Sequence, residues 1–130
     1  MRVLYVEDDP MNRRVVKDML AVAGVEMAEA EDGQTGLDMI ETQRFDLILM
    51  DLRMPGMDGL TAIRKIRART DEYRTAPVIV VTADAALDIQ EKCWAAGADE
   101  LLRKPVAMDR LFDVIGRMLA RSEDGSAMLA

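Results

Sequence analysis

Four short apolar runs in this chain end on residues that can do chemistry. Leu47-Ile48-Leu49-Met50 stops at Asp51, and Val3-Leu4-Tyr5-Val6 stops at Glu7-Asp8-Asp9. Pro77-Val78-Ile79-Val80-Val81 stops at Thr82, and Leu101-Leu102 leads through Arg103 to Lys104-Pro105. Apolar runs of this length, bounded by turn residues, read as strands buried on both faces. Taken singly, each ending has a plain explanation. Asp commonly stops a strand by accepting local backbone hydrogen bonds, Thr82 is a β-branched strand residue, and Lys104 is a surface lysine before a turn. Taken together, they describe a site. Carboxylates gathered at one point repel strongly unless a cation joins them, and Mg²⁺ suits carboxylate, water and phosphate oxygens. With a hydroxyl donor and an ammonium facing them, the set would hold a phosphoryl group, with Asp51 as the nucleophile.

The elements that must carry these residues alternate along the chain. Asp9-Pro10 supplies a helix N-cap with proline at the first helical position. Met11, Val15, Val16, Met19 and Leu20 follow at helical spacing, up to Gly24. Glu26 to Ala30 alternates polar and apolar as an edge strand does. Asp32-Gly33 turns into a helix carrying Leu37 and Ile40. Asp58 is read as a turn residue, after which Gly59 opens a helix with Leu60, Ile63 and Ile66 on one face. Arg64, Lys65, Arg67 and Arg69 make a solvated basic side of that helix. Ile89, Cys93 and Ala96 mark a further helix stopped by Gly97, and Leu111, Val114, Ile115 and Met118 mark the last. Five such βα units predict an α/β fold, one parallel sheet covered by helices on both faces, and the order expected for it is 2-1-3-4-5 if the sheet is a doubly wound, flavodoxin-like three-layer sandwich. In that order the ligand crevice lies between the first and third strands, where Glu7, Asp8 and Asp51 converge. Residues 1–121 are expected to form one domain. Residues 122–130, rich in Ser, Glu, Asp and Gly, are expected to be a loose tail with no output domain attached.

Composition narrows the function further. With 24 acids against 17 bases the net charge is −7, which disfavours direct binding to nucleic acid or to an anionic membrane. No apolar segment is long enough to cross a bilayer, and the amino terminus lacks an export signal, so a cytoplasmic protein is expected. With a single Cys93 and no His there is no internal disulfide and no soft-metal site of the zinc kind.

Over residues 2–120 the chain resembles the receiver domain of two-component response regulators. The resemblance rests on Val6-Glu7-Asp8-Asp9, on Met50-Asp51-Leu52-Arg53-Met54-Pro55-Gly56-Met57-Asp58-Gly59, on Val81-Thr82-Ala83 and on Lys104-Pro105. It implies that Asp51 accepts a phosphoryl group from a histidine kinase or histidine phosphotransfer protein, or from a small acyl phosphate. It further implies that Asp8 ligates Mg²⁺ directly, that Glu7 acts mainly through metal-bound water, and that the backbone carbonyl of Arg53 is a further ligand. Thr82 would bond the phosphoryl group and move with it, Lys104 would pair with its oxygens, and the Lys104–Pro105 peptide would be cis. Such a domain catalyses only its own phosphorylation and dephosphorylation and is not otherwise an enzyme. Output is expected through a downstream protein that docks on the fourth helix, fifth strand and fifth helix, with Trp94 near the centre of that face. Arg53 and Asp84, each two residues beyond a site residue, are expected to flank the path of the hydrolytic water and to pair across the mouth.

Three rival readings differ at named positions. A phosphatase of the haloacid dehalogenase type expects a second Asp two residues after the nucleophile, where this chain has Arg53. A flavin mononucleotide protein needs a Ser/Thr/Gly-rich loop after the first strand, where this chain has Glu7-Asp8-Asp9. An interaction module that has lost phosphorylation would not need Asp51, Thr82 and Lys104 together. A receiver cut from a hybrid histidine kinase shares every motif, and the starting Met1 favours a single-domain regulator over it. One departure from the family pattern concerns output: Leu101 stands where an aromatic residue often lies, three positions before the lysine.

Overall fold

A computed structural model describes the backbone of residues 1–129 and the side chains of residues 1–120. In chain order the elements are β1 (Arg2–Val6), α1 (Pro10–Val22), β2 (Glu26–Ala30), α2 (Gly33–Thr42), β3 (Leu47–Asp51) and α3 (Gly59–Arg67). A 3-10 turn (Glu72–Thr75), β4 (Val78–Thr82), α4 (Ile89–Ala96), β5 (Glu100–Arg103) and α5 (Met108–Leu129) follow. All strand pairs are parallel, in the order β2-β1-β3-β4-β5, which is the predicted order. The expected tail over residues 122–130 falls outside the described side chains, while the backbone of α5 runs helical through Leu129. None of the described helices is long and apolar enough to cross a membrane.

Strand alternation divides the core in two. Val3, Tyr5, Leu47, Leu49, Ile79 and Val81 face α1 and α5, where they meet Val16, Leu20, Leu111 and Val114. Leu4, Val6, Ile48, Met50, Val78 and Val80 face α2, α3 and α4, where they meet Ile40, Ile63, Ile66 and Cys93. Because β1, β3 and β4 are covered on both faces, their sequences are continuously apolar rather than alternating. The register then fixes the site: Val6 pairs with Met50 and Asp51 with Val81, so the residues that follow β1, β3 and β4 emerge along one edge.

Several local features depart from the sequence reading. Asp58 is the N-cap of α3, its carboxylate accepting from Thr61 N at 2.8 Å, rather than a mere turn residue. The basic side of α3 is only partly solvated. Arg67 donates to the carbonyls of Gly97, Arg74 and Ala76 and to Asp99, tying α3 to the segments that lead into β4 and β5. Arg69 pairs with Glu41 and Asp71 and lies over the Tyr73 ring. On α1 only Val16 and Leu20 are buried, and Met11 is 69% exposed despite its helical spacing.

Candidate functional site

The site is built from what the strands deliver at their carboxyl ends. A cleft of about 490 Å³ is lined by Glu7, Asp8, Asn12, Asp51, Thr82 and Lys104, with Arg53 and Asp84 at its edge. Every residue predicted for the site lines it. One ligand oxygen from each of Glu7, Asp8 and Asp51 lies within 4.8 Å of the others, close enough for a single small cation to be shared among them. The three carboxylates differ in setting, since Glu7 is fully buried, Asp51 nearly so, and Asp8 exposed.

Local structure explains how each group is held. Asp9 caps α1, accepting from Met11 N at 2.8 Å, as the Asp-Pro pair predicted. That start places Asn12 over the end of β1, where its Nδ2 donates to Glu7 Oε1 at 2.6 Å, and Arg13 Nη1 donates to the Glu7 carbonyl at 2.7 Å. Asn12 is a cleft residue that no apolar-run ending marks. Its position in the first turn after the cap is the signal that could have found it. Asp51 Oδ1 accepts from Leu52 N at 2.8 Å. Immediately beyond, Gly59 N bonds the Leu52 carbonyl, and a Cβ on Gly59 would stand only 2.1 Å from the carbonyl oxygen of Asp51. Glycine at that position lets α3 start against the end of β3.

Lys104 reaches the cleft from the turn after β5, 97 residues along the chain from Glu7. Its Nζ lies 2.8 Å from Glu7 Oε1 and 3.4 Å from Asp51 Oδ1. The Lys104–Pro105 peptide is cis. The electrostatics follow from burial. Loss of water pushes the Glu7 carboxyl up to about 7, and contact with Asp51 adds to the rise while Lys104 and Asn12 oppose it. For Lys104 burial works against the charged form, yet the Glu7 hydrogen bond and the Asp51 charge outweigh it and hold the ammonium above the usual lysine value. Burial, then the charges of Glu7 and Asp51, also pushes the Tyr5 phenol well above its ordinary range.

Thr82 is buried, and its hydroxyl oxygen accepts from Asp84 N at 3.0 Å. At the rim Arg53 Nη2 lies 2.9 Å from Asp84 Oδ2, forming the ion pair expected from the resemblance to receiver domains. Arg103 donates to the Asp84 carbonyl. The Ala86 amide, and then Arg53, hold the Asp84 carboxyl below the usual carboxylate range.

Comparison with known proteins gives this geometry its setting. The sensor histidine kinase RcsC of Escherichia coli is 38% identical over 109 residues, covering 84% of this chain but 11% of that protein. A cyclic di-GMP phosphodiesterase of Thermotoga maritima is 37% identical over 111 residues, covering 85% of this chain and 29% of the relative. The chain therefore spans only a small part of these curated relatives. Among solved structures, the receiver domain of sensor histidine kinase PA1611 from Pseudomonas aeruginosa, with a magnesium ion coordinated in its active site cleft, superposes with a TM-score of 0.84 at 37% identity, covering 92% of this chain and 97% of that one. The chemotaxis response regulator CheY4 of Vibrio cholerae gives 0.83 at 30% identity, covering 90% and 97%. The family model of the response regulator receiver domain matches residues 3–116, and the chain belongs to that family.

Proposed function

We propose that the protein is a phosphorylatable switch: Asp51 accepts a phosphoryl group from a histidine kinase or histidine phosphotransfer protein, and the modified domain changes its contacts with other proteins. The observation that carries this reading is the meeting of Lys104 Nζ with Asp51 Oδ1 and Glu7 Oε1, 3.4 and 2.8 Å away, inside one acidic cleft. A cation fits there. Glu7 Oε2 is buried with no hydrogen-bond partner among the described residues, and buried polar atoms in a native protein are seldom left so. An all-oxygen donor set of Glu7, Asp8, Asp51 and the Arg53 backbone carbonyl suits Mg²⁺, with Glu7 acting mainly through bound water. Bound there, the ion supplies charge neutralisation for phosphoryl oxygens.

The chain's own residues account for the rest. Leu52 N engages one oxygen of Asp51, leaving the other to form the new bond to phosphorus. The P–N bond to the donor imidazole breaks, and the imidazole leaves with the electron pair and takes a proton from solvent. Lys104 pairs with the transferred oxygens, exchanging its hold on Asp51 for one on the phosphoryl group. Thr82 turns its hydroxyl from the Asp84 amide to a phosphoryl oxygen. Asp51→Asn should abolish acid-labile phosphate incorporation, as should excess EDTA. Persistent incorporation in either condition overturns the assignment.

A second reading, that this receiver works as part of a longer sensor kinase, is favoured by the sensor histidine kinases among its relatives. Faster phosphotransfer from a histidine phosphotransfer domain than from any free kinase would support it.

A further inference from the structure

We propose that Tyr5 is a positioning residue for Lys104, acting through ordered water in a small cavity behind the lysine; this rests on the reading of Lys104 as partner of the phosphoryl oxygens. Tyr5 lies two residues before Glu7 on β1, so the two side chains leave the strand on the same face. Its ring is fully buried in the cluster between the sheet and α1 and α5. Its hydroxyl is also buried, and it finds no hydrogen-bond partner among the described residues.

That residue lines a cavity of about 140 Å³ shared with Asn12, Val15, Lys104 and Pro105. By this measure of volume a water needs roughly 10–15 Å³ and two to four polar partners. The volume is ample, and among otherwise apolar walls the lining offers three polar side chains, Tyr5, Asn12 and Lys104. An ammonium carries three protons, and Lys104 directs two of its three toward Glu7 and Asp51. Asn12 uses its amide nitrogen on Glu7, so its carbonyl oxygen remains an acceptor. The phenol both donates and accepts. A water joining these groups satisfies the Tyr5 hydroxyl and gives the third proton of Lys104 a fixed acceptor.

The consequence lies in how the ammonium is held. Lysine is a point charge on a flexible four-carbon stem, and in the unmodified site its two carboxylate partners restrain it. Transfer to Asp51 changes one of those partners. The link through Tyr5 does not change, so it keeps Nζ at the cleft while the other contact is exchanged. It comes from the far side of the lysine and touches neither the donor nor the phosphoryl group.

Tyr5→Phe tests this, because the ring stays in place and only the hydroxyl is lost. The phosphorylation rate with phosphoramidate should fall by about three- to tenfold, the order expected for one hydrogen bond. The affinity for Mg²⁺, measured by titration calorimetry, should stay within about twofold. In a Lys104→Ala background Tyr5→Phe should have no further effect on rate or on beryllofluoride affinity, since contributions made through one residue are not additive. A dry, orphaned hydroxyl makes the opposite forecast: Tyr5→Phe raises Tm and leaves the rate alone, and that result overturns the proposal. So does an additive effect in the Lys104→Ala background, or an effect seen only with a protein donor. Failure of the underlying reading is distinguishable, because Lys104→Ala would then be phosphorylated at the wild-type rate.

Discussion

Arg53 and Asp84 close over the cleft from opposite sides, Nη2 to Oδ2 at 2.9 Å, with the guanidinium 80% exposed and the carboxylate 15%. Asp84 is the fixed member. Its other oxygen accepts from Ala86 N, and its carbonyl takes a bond from Arg103. Arg53 is the exposed one, reaching from just beyond β3 onto a prepared acceptor. The energetic value of a pair this exposed is small, but its place over the mouth bears on water reaching a phosphorylated Asp51. Arg53→Ala and Asp84→Ala should each alter the autodephosphorylation rate, and the double variant should fall short of their product. Additive logarithms of the rates would mean that the two side chains act independently.

Gly59 offers a test of how the nucleophile is placed. A methyl group at Gly59 would press on the Asp51 carbonyl and the Leu52 Cα, which are backbone atoms that cannot swing aside. Gly59→Ala should therefore cost about 1–3 kcal/mol in chemical denaturation and slow phosphorylation, because relief must come from moving the end of β3. Gly116→Ala, in α5 with no atom beyond its own helix backbone within 4 Å of the added carbon, should be neutral or slightly stabilising. Equal stability of the two variants would contradict the close approach.

The framework of this domain could be read from the chain because the residues that line its cleft stand at or just beyond the ends of its strands. Glu7 and Lys104 lie 97 positions apart, yet each ends an apolar run, and strand order alone brings them together. Periodicity failed where a neighbouring segment folds over a helix. Arg67 sits on the polar side of α3 as spacing requires and Arg69 follows just beyond the helix, but the segments after the helix and before β5 cover Arg67 with carbonyls and a carboxylate, and Glu41 of α2 with Asp71 holds Arg69. The Tyr73 hydroxyl, which joins the 3-10 turn to the Gln43 carbonyl and Phe45 N, depends on contacts some 30 residues away that no local pattern announces. The cap at Asp58 was hidden for the contrary reason. Pro55-Gly56-Met57-Asp58-Gly59 is so rich in turn residues that the Asp reads as part of the turn.

That cap has a pH signature. The Thr61 backbone N–H bond is the main cause holding the Asp58 carboxyl below its ordinary value. A depressed folded pKa adds stability above the unfolded pKa, and that stability is lost as pH falls through the folded value. Asp58→Ala should cost about 1 kcal/mol near neutrality. The gap from wild type should close below roughly pH 4, around the unperturbed carboxyl value. Asp58→Asn, which caps without titrating, should keep its stability there. Asp32, Asp71 and Asp84 are depressed too, so the difference between variants at each pH is the quantity to follow. A gap that stays constant down to pH 3 would show that the carboxylate charge does not contribute.

Trp94 reports on how the site reaches its surroundings. It follows the fully buried Cys93 on α4 and is 39% exposed, the boundary position expected from a turn of 100° per residue. In β5 a partly buried Leu101 packs against the same core cluster as Ile89 and Cys93, so no aromatic ring stands there to swing inward. A signal from Asp51 must then travel through Thr82, whose hydroxyl holds the Asp84 amide, and through the segment from Asp84 into α4. If Thr82 turns toward a phosphoryl group, that amide loses its acceptor and the segment shifts. Beryllofluoride with Mg²⁺ should therefore change the emission of the chain's one Trp, and Thr82→Ala should abolish the change without preventing beryllofluoride binding. Trp94→Ala should weaken binding to the kinase or downstream partner by at least about tenfold, as loss of an aromatic hot spot does, with phosphorylation by phosphoramidate intact. Undiminished partner affinity in a folded Trp94→Ala protein would move the recognition surface to α1, where Asn12 lines the cleft and Arg13 holds the Glu7 carbonyl beside it.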